Sequence, residues 1–442
     1  MTVRLGGGQG FYGDGHGPLA DLLGSGLDFL VCEALAELTL AILQKDRQRD
    51  EAAGYTRDLP LYVHEALPWI VDGRTRLVTN AGGINPLAAG RAVEGALRAA
   101  GADAVKVATV VGDDVRPIAS ELGLPDDALF ANAYIGARPI VEALDAGADI
   151  VVTGRVADAS LFLAPLIHAY GWAADDWDHL AAGVVVGHLL ECSGQVTGGN
   201  WSGPWWENAD PLRIGFPIAD VDADGSAVLT KPPATGGRVS FDTVREQLLY
   251  EVHDPRAYLN PDVSADFTAV SVDDLGADRV RVSGAVGAPP PEQYKGLVCT
   301  SAGWAGEARF AYPWPDAEAK ARAAVRFVRR RAEQAGVPVQ AWHEEYFGVN
   351  GFGGPTVPVD DAGEAPEVIA RLAWRCEDAE TVARVSQGLG VLGLSGPPTI
   401  ASAGRAREGR PSELLAVESF AVDRALVDAQ VRVAFSGASS PE

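Results

Sequence analysis

The chain has 442 residues, more than one ordinary hydrophobic core encloses, so two or three domains are expected. Apolar residues make up 47% and charged residues 22%, the balance of a folded globular protein and not of a disordered or fibrous one. With 36 Lys and Arg against 60 Asp and Glu the formal charge is −24, which repels phosphate backbones and excludes nucleic acid as an expected partner.

Further classes fall away on local grounds. No basic stretch followed by an apolar one opens the chain, and no uncharged apolar run has the length of a membrane span. A cytoplasmic protein without a signal peptide or membrane partner is expected. Cys32, Cys192, Cys299 and Cys376 are far apart with no Cys-x-x-Cys pair, so reduced buried thiols are expected, not a zinc site or a disulfide framework.

Five short apolar runs, at 3–5, 27–32, 77–78, 105–111 and 150–152, read as strands, and most open into a polar, glycine-rich loop. Between and after them helices are predicted over 18–23, 34–50, 61–70, 88–100, 137–146, 158–170 and 177–190 from the spacing of apolar residues. Asn85-Pro86 is a helix start, since Asn caps and Pro at the first position loses no needed hydrogen bond. This alternation predicts an α/β fold with a mostly parallel, doubly wound sheet, a β/α barrel-like first half being the alternative.

Beyond residue 200 the pattern changes to short strand-like pieces at 227–229, 269–272 and 280–282, with a helix at 243–251. Pro289-Pro290-Pro291 is a stiff link. After it come an apolar run at 297–300, a charged helix at 316–335, a strand at 337–347, a glycine-rich loop at 348–355, a strand at 368–376, a helix at 379–389 and a strand at 414–420. This order suits an α+β domain, ferredoxin-like in arrangement, with a frayed tail at 436–442. The expected division is 1–212, carrying the strand-end loops, 213–288, packing on the site, and 289–442.

Ligands of parallel sheets sit beyond the carboxyl ends of the strands, so the loops there are the candidate site. Gly8-x-Gly10-x-x-Gly13 matches the dinucleotide fingerprint literally, but Asp14 follows it and opposes a pyrophosphate. Gly8, Gly10, Gly13 and Asp14 are the candidate cofactor-binding residues; a strand-to-helix turn needing positive φ explains the glycines equally. Asn80-Ala81-Gly82-Gly83-Ile84-Asn85 offers amide donors beside a helix start, able to stabilise an oxyanion or enolate.

Asp113 and Asp114 are adjacent carboxylates, candidates for proton transfer or a divalent cation. Arg155 is either an anion fork or the partner of Asp158 three residues on. Glu191 shares a helix face with His188 and is a further acid/base candidate. Cys192, at a helix C-terminus, is the poorer nucleophile because the dipole there disfavours a thiolate. Gln195, Thr197 and Asn200 form a polar loop suited to orienting substrate, and Lys231 is a second cation for an acid. No Gly-x-Ser-x-Gly elbow, Walker loop, His-Glu-x-x-His or kinase signature occurs, which disfavours those classes.

Several strings taken together, in order from about residue 3 to 430, resemble the acyclic terpene utilisation (AtuA-like) family. They include Gly10-Phe11-Tyr12-Gly13-Asp14, Val78-Thr79-Asn80-Ala81-Gly82-Gly83-Ile84-Asn85-Pro86, Gly112-Asp113-Asp114, Asn132-Ala133-Tyr134, Val152-Thr153-Gly154-Arg155, Thr197-Gly198-Gly199-Asn200 and Asn260-Pro261-Asp262-Val263. The chain departs from the family pattern at Gly15, where an arginine is expected, at Cys32-Glu33-Ala34, where Gly-Asp-Tyr is expected, and at Pro232, where a histidine is expected. Longer members are expected to carry an extra small C-terminal domain absent here.

The resemblance implies a bacterial enzyme of terpene breakdown through acyl-CoA intermediates. It would act on a branched or unsaturated carboxylic acid, with a CoA thioester as carrier, by hydration, isomerisation or carbon–carbon cleavage through an enolate-like species. In that reading Asn80, Gly82 and Gly83 supply oxyanion donors, Asp113, Asp114 or Glu191 moves the proton, and Arg155 and Lys231 hold the acid. The expected partners are a small-molecule substrate and further copies of the same chain in a homo-oligomer. The alternatives are a non-catalytic scaffold with a degenerate pocket and a nucleotide-dependent acid ligase. On the catalytic reading, alanine at Asp113 or Arg155 abolishes turnover and leaves the melting temperature nearly unchanged.

Overall fold

The computed structural model describes residues 1–208, 210–352, 364–402 and 409–435. Two units emerge: Met1–Cys299 together with the segment from Val417 on, and Thr300–Ala416. The chain runs β1 (Thr2–Gln9), α1 (Leu19–Leu23), β2 (Phe29–Cys32), α2 (Glu37–Arg47), α3 (Leu59–Val71), β3 (Arg76–Thr79), α4 (Pro86–Ala99), β4 (Val107–Val111), α5 (Ala119–Leu122), β5 (Phe130–Ala133), α6 (Arg138–Asp145), β6 (Ile150–Thr153), α7 (Asp158–Tyr170) and α8 (Trp177–Leu190). There follow β7 (Ile218–Asp222), β8 (Ala227–Thr230), α9 (Phe241–Leu249), β9 (Tyr258–Leu259), β10 (Ser264–Asp266), β11 (Ser271–Asp274), β12 (Val280–Ser283), β13 (Val286–Ala288) and β14 (Gln293–Pro313). The rest comprises α10 (Ala317–Gln334), β15 (Ala341–Phe347), β16 (Glu367–Cys376), α11 (Ala379–Gln387), α12 (Leu392–Ser395), β17 (Ala401–Ser402), β18 (Ser412–Asp423), α13 (Arg424–Asp428) and β19 (Arg432–Phe435).

The larger unit is built on a sheet of order β11-β12-β8-β7-β1-β2-β3-β6-β4-β19. The five central strands, β1 to β4, are parallel. Every other pairing is antiparallel. The protein is thus α/β with a mixed sheet, not the mostly parallel one expected. Strands joined by two- to four-residue turns, as β7 and β8 are, can only pair antiparallel, because a parallel return needs a crossover. Residues 213–288 supply four of these strands. The order ends at β11 and at β19, so the barrel-like alternative is not built.

Strand side chains alternate between two apolar layers. Leu30, Leu77, Val107, Ile150 and Val152 pack with Leu22, Tyr62, Val63, Val93 and Leu97 of α1, α3 and α4. Val31, Val78, Val110 and Val151 pack with Ile140, Leu161, Phe162, Val184 and Leu189 of α6, α7 and α8. Each fully buried aliphatic side chain contributes about 1.5–3 kcal/mol, so both faces of the parallel strands are held firmly and their carboxyl ends are fixed in space. α4 begins as its sequence predicts: Asn85 Oδ1 accepts from Ala88 N at 3.4 Å, with Pro86 in the first turn.

The smaller unit has the chain order strand, helix, strand, strand, helix, strand and the antiparallel order β15-β16-β14-β17. These are the chain and strand orders of a ferredoxin-like α+β unit. On β16, Val368, Ala370, Leu372 and Trp374 are buried in one layer with Ala321, Val325 and Val328 of α10 and Val382 of α11. The expected glycine-rich loop is described only to residue 352, and the expected tail at 436–442 lies outside the described residues. Among the described residues no helix is long and apolar enough to cross a membrane.

Candidate functional site

The carboxyl ends of β1, β2, β3 and β6 deliver Gln9, Glu33, Asn80 and Arg155, the place where ligands bind open α/β sheets. Glu33 follows β2 directly and is 6% exposed. Its Oε1 accepts from Asn80 Nδ2 at 2.9 Å and from Leu35 N at 2.5 Å. Burial, reinforced by the charge of Asp158, holds this carboxyl well above the usual carboxylate range, against the opposing pull of Arg155 and these hydrogen bonds. Burial thus favours the neutral form of Glu33 over the ion.

Asn80 is fully buried and committed to this turn, its Oδ1 accepting from Ala34 N at 2.7 Å. The amide expected as an oxyanion donor is instead the clamp of Glu33. Gly82 and Gly83 serve the same turn. A Cβ on Gly82 would sit 2.4 Å from the carbonyl oxygen of Thr153, so only glycine lets the β3 and β6 loops meet. Asn85 caps α4 and donates to the carbonyls of Glu51 and Ala53. It does not join the carboxyl cluster.

Arg155 is completely buried. Nη1 donates to Leu35 O at 2.6 Å, Nε to Val156 O at 2.9 Å, and Nη2 to Asp158 Oδ1. The guanidinium lies 4.3 Å from the ring centroid of Tyr134, whose hydroxyl donates to Glu37 Oε1 at 3.1 Å. Lys295 reaches the same Glu37 oxygen at 3.2 Å. Arg155 thus joins the β2 loop to the start of α7; its fork is spent on the protein and not left for an acid ligand. Asp158, 35% exposed at the side chain, is pushed up to about 6 by burial and by the charges of Glu191 and Glu37, in opposition to Arg155.

The end of α8 completes the cluster. His188 Nε2 faces the carbonyl oxygen of Gln247 at 2.9 Å, and Nδ1 faces Glu191 Oε1 at 2.9 Å. A carbonyl only accepts, so Nε2 carries a proton. Glu191 Oε2 is buried without a hydrogen-bond partner in the protein, a costly state that a ligand would relieve. The neighbouring Cys192 thiol is pushed up by burial and by Glu191, which disfavours its thiolate.

The remaining candidates serve the framework. Asp113 is buried below the β6 loop, where its Oδ2 accepts from Arg155 N at 2.8 Å and from Asn132 Nδ2 at 2.8 Å; burial pushes it up to about 6. Asp114 points away and pairs with Arg116 at 2.6 Å. The two carboxylates therefore diverge and do not chelate a cation. Among the described residues no three His, Cys, Asp or Glu side chains gather as a metal-ligand set. Thr197 donates to Gly215 O at 2.6 Å, and Lys231 is engaged by Thr235 O and Asp278. Gln195 binds Gln247 at 2.9 Å, beside His188, while Asn200 is exposed.

The first glycine loop binds its own chain. Gly10 N and Gly15 N donate to Asp14, and Gly13 N and Gln9 Nε2 donate to Asp58 Oδ2. Donors a pyrophosphate would need are occupied by carboxylates, and Gly8 lies inside β1, where a register shift falls between Gly7 and Gln9. The dinucleotide reading fails on both counts. Glu33, Tyr134, Asp58 and Gln247 were not among the candidate site residues. For Glu33 a signal existed, since it is the first polar residue after the apolar run 27–32.

No curated protein and no solved structure matches the chain. The family model described as acyclic terpene utilisation family protein AtuA matches residues 3–433, nearly the full length. The chain belongs to the acyclic terpene utilisation family.

Proposed function

We propose that this protein is an enzyme that moves a proton on a branched or unsaturated acyl group carried as a CoA thioester, in dehydration, hydration or isomerisation. We read the parallel strands with helices on both faces as a doubly wound half-sheet whose carboxyl ends hold the reacting group. The observation that supports this reading is the pairing of unlike carboxyls: Glu33, which burial holds well above the usual carboxylate range, and Glu191, with Oε2 unpartnered beside His188.

A neutral carboxyl donates a hydrogen bond to an acyl oxygen as charge builds on it, the role expected of Asn80. Glu191 Oε2 takes the proton from the carbon next to the carbonyl. In dehydration the departing hydroxyl leaves as water with a proton from Asp158, whose value of about 6 lets it serve as acid. Asn80 and Arg155 position Glu33 and Asp158.

The test is solvent exchange. Saturated, α,β-unsaturated and 3-hydroxy branched acyl-CoA thioesters are incubated with the protein in deuterium oxide and followed by mass spectrometry. Deuterium incorporation by the native chain and its loss in Glu191→Gln is the expected result. No incorporation into any thioester sinks the reading.

A further inference from the structure

An open pocket of about 390 Å³ lies between the end of α2 and the start of α4. It is not the carboxyl cluster: Arg47 stands ten residues beyond Glu37 on α2, about 15 Å along the helix axis. Three guanidinium groups line it, Arg47 from α2, Arg91 from α4 and Arg116 from the turn after β4.

Their pairing is unequal. Arg116 is held by Asp114 through contacts of 2.6 and 2.9 Å. Arg47 donates to the Ile84 carbonyl at 3.0 Å and has no carboxylate partner among the described residues. Arg91 is exposed and makes no ion pair among them. Against these stands Glu51, the other charged side chain of the lining. A surplus of cation is therefore concentrated in one concavity of a chain whose net charge is −24. The amide side chains of Gln44 and Gln48 complete the wall, and Gln44 Oε1 is buried without a partner.

We propose that this pocket binds a phosphate group, free or as an ester. Guanidinium forks match phosphate oxygens in geometry as well as charge. Arg47 and Arg91 arrive from two helices to offer donors to a tetrahedral oxyanion, while the guanidinium of Arg116, bound to Asp114 and the Leu129 carbonyl, closes the third side of the wall. The volume falls within the range that holds a small ligand. The site is independent of the proton-transfer chemistry proposed above.

Isothermal titration at constant ionic strength tests it, with inorganic phosphate, pyrophosphate and adenosine 5′-monophosphate as probes and citrate as the carboxylate control. The expected result is saturable binding of at least one phosphate species. Arg47→Ala with Arg91→Ala weakens it at least tenfold, and Arg98→Ala, exposed on α4 outside the lining, leaves it unchanged. Should the double variant misfold, Arg91→Ala alone, at an exposed position, carries the comparison. Preference for the inorganic ions identifies a free anion as the ligand, and preference for the nucleotide identifies an ester. Binding of citrate as tight as that of every phosphate species, no binding of any, or undiminished binding by the arginine variants overturns the proposal.

Discussion

Asn80 joins two turns with one side chain, donating to Glu33 Oε1 at 2.9 Å while accepting from Ala34 N at 2.7 Å. The buried carboxyl after β2 is thereby fixed by a residue that follows β3. Asn80→Ala leaves Ala34 N unpaired in a buried place, which costs about 1–3 kcal/mol. The urea midpoint should fall accordingly, and an unchanged midpoint would show that the turn does not depend on the amide.

Glu33→Gln should be mild for the fold. Glutamine is close in shape, keeps an oxygen for Asn80 Nδ2 and Leu35 N, and replaces a group that burial already disfavours as an ion. Stability is expected within about 1 kcal/mol of native, while exchange of deuterium into a thioester falls by about 100-fold or more, the contribution of a positioned acid. Undiminished exchange would remove Glu33 from the chemistry.

Asp113 is expected to matter to the fold, because its carboxylate accepts from two buried donors. Asp113→Ala strands two buried donors, Arg155 N and Asn132 Nδ2, so a loss of about 2 kcal/mol or more is expected. Asp113→Asn, which can still accept at that point, should lose much less. Thermal melts of the two variants side by side decide it; equal, near-native melts would restore the catalytic reading.

The same residue sets a pH dependence. Its carboxyl is raised to about 6 in the folded chain, so the folded state holds that proton more tightly than the unfolded state does. Its contribution to stability is full below about pH 4, the ordinary aspartate value, and is lost as pH rises through about 6. Urea midpoints of the native chain and Asp113→Asn at pH 4.5 and 7.5 should therefore diverge, with the variant gaining on the native chain at the higher pH. A constant gap counts against a raised value.

At Gly10 a Cβ would lie 2.7 Å from the carbonyl carbon of Cys192, backbone against backbone. Gly10→Ala is expected to cost about 1–3 kcal/mol through overpacking and to shift the β1 loop from the end of α8. A lowered melting temperature is the readout, and a native melt would mean that the two loops separate easily.

Local pattern carried much of the fold into the sequence. The apolar runs at 27–32, 77–78, 105–111 and 150–152 overlap β2, β3, β4 and β6, and the Asn85-Pro86 start, α7 and α8 follow from capping and spacing. What escaped depends on partners far away. β5 has the string Phe-Ala-Asn-Ala, with no strand period, and exists because Gly296–Cys299 pair with it. The partners of the candidate side chains escaped for the same reason. Asn80, Asp113 and Arg155 were correctly found at strand ends, but a polar group in a loop looks free until its acceptor is known. Here those acceptors and donors are Glu33, Asn132 and Asp158.

The antiparallel pairing of β19 with β4, from Arg432 opposite Val111 to Phe435 opposite Ala108, sets an order of events at birth. While the ribosome is still reading the smaller unit, β4 has β6 on one side and a bare row of amides and carbonyls on the other. Such an edge invites mispairing with other nascent chains, and it lies one residue from the glycine that leads into Asp113. The strap that seals it is translated after the whole of the smaller unit, so the larger unit matures only once the smaller has been made.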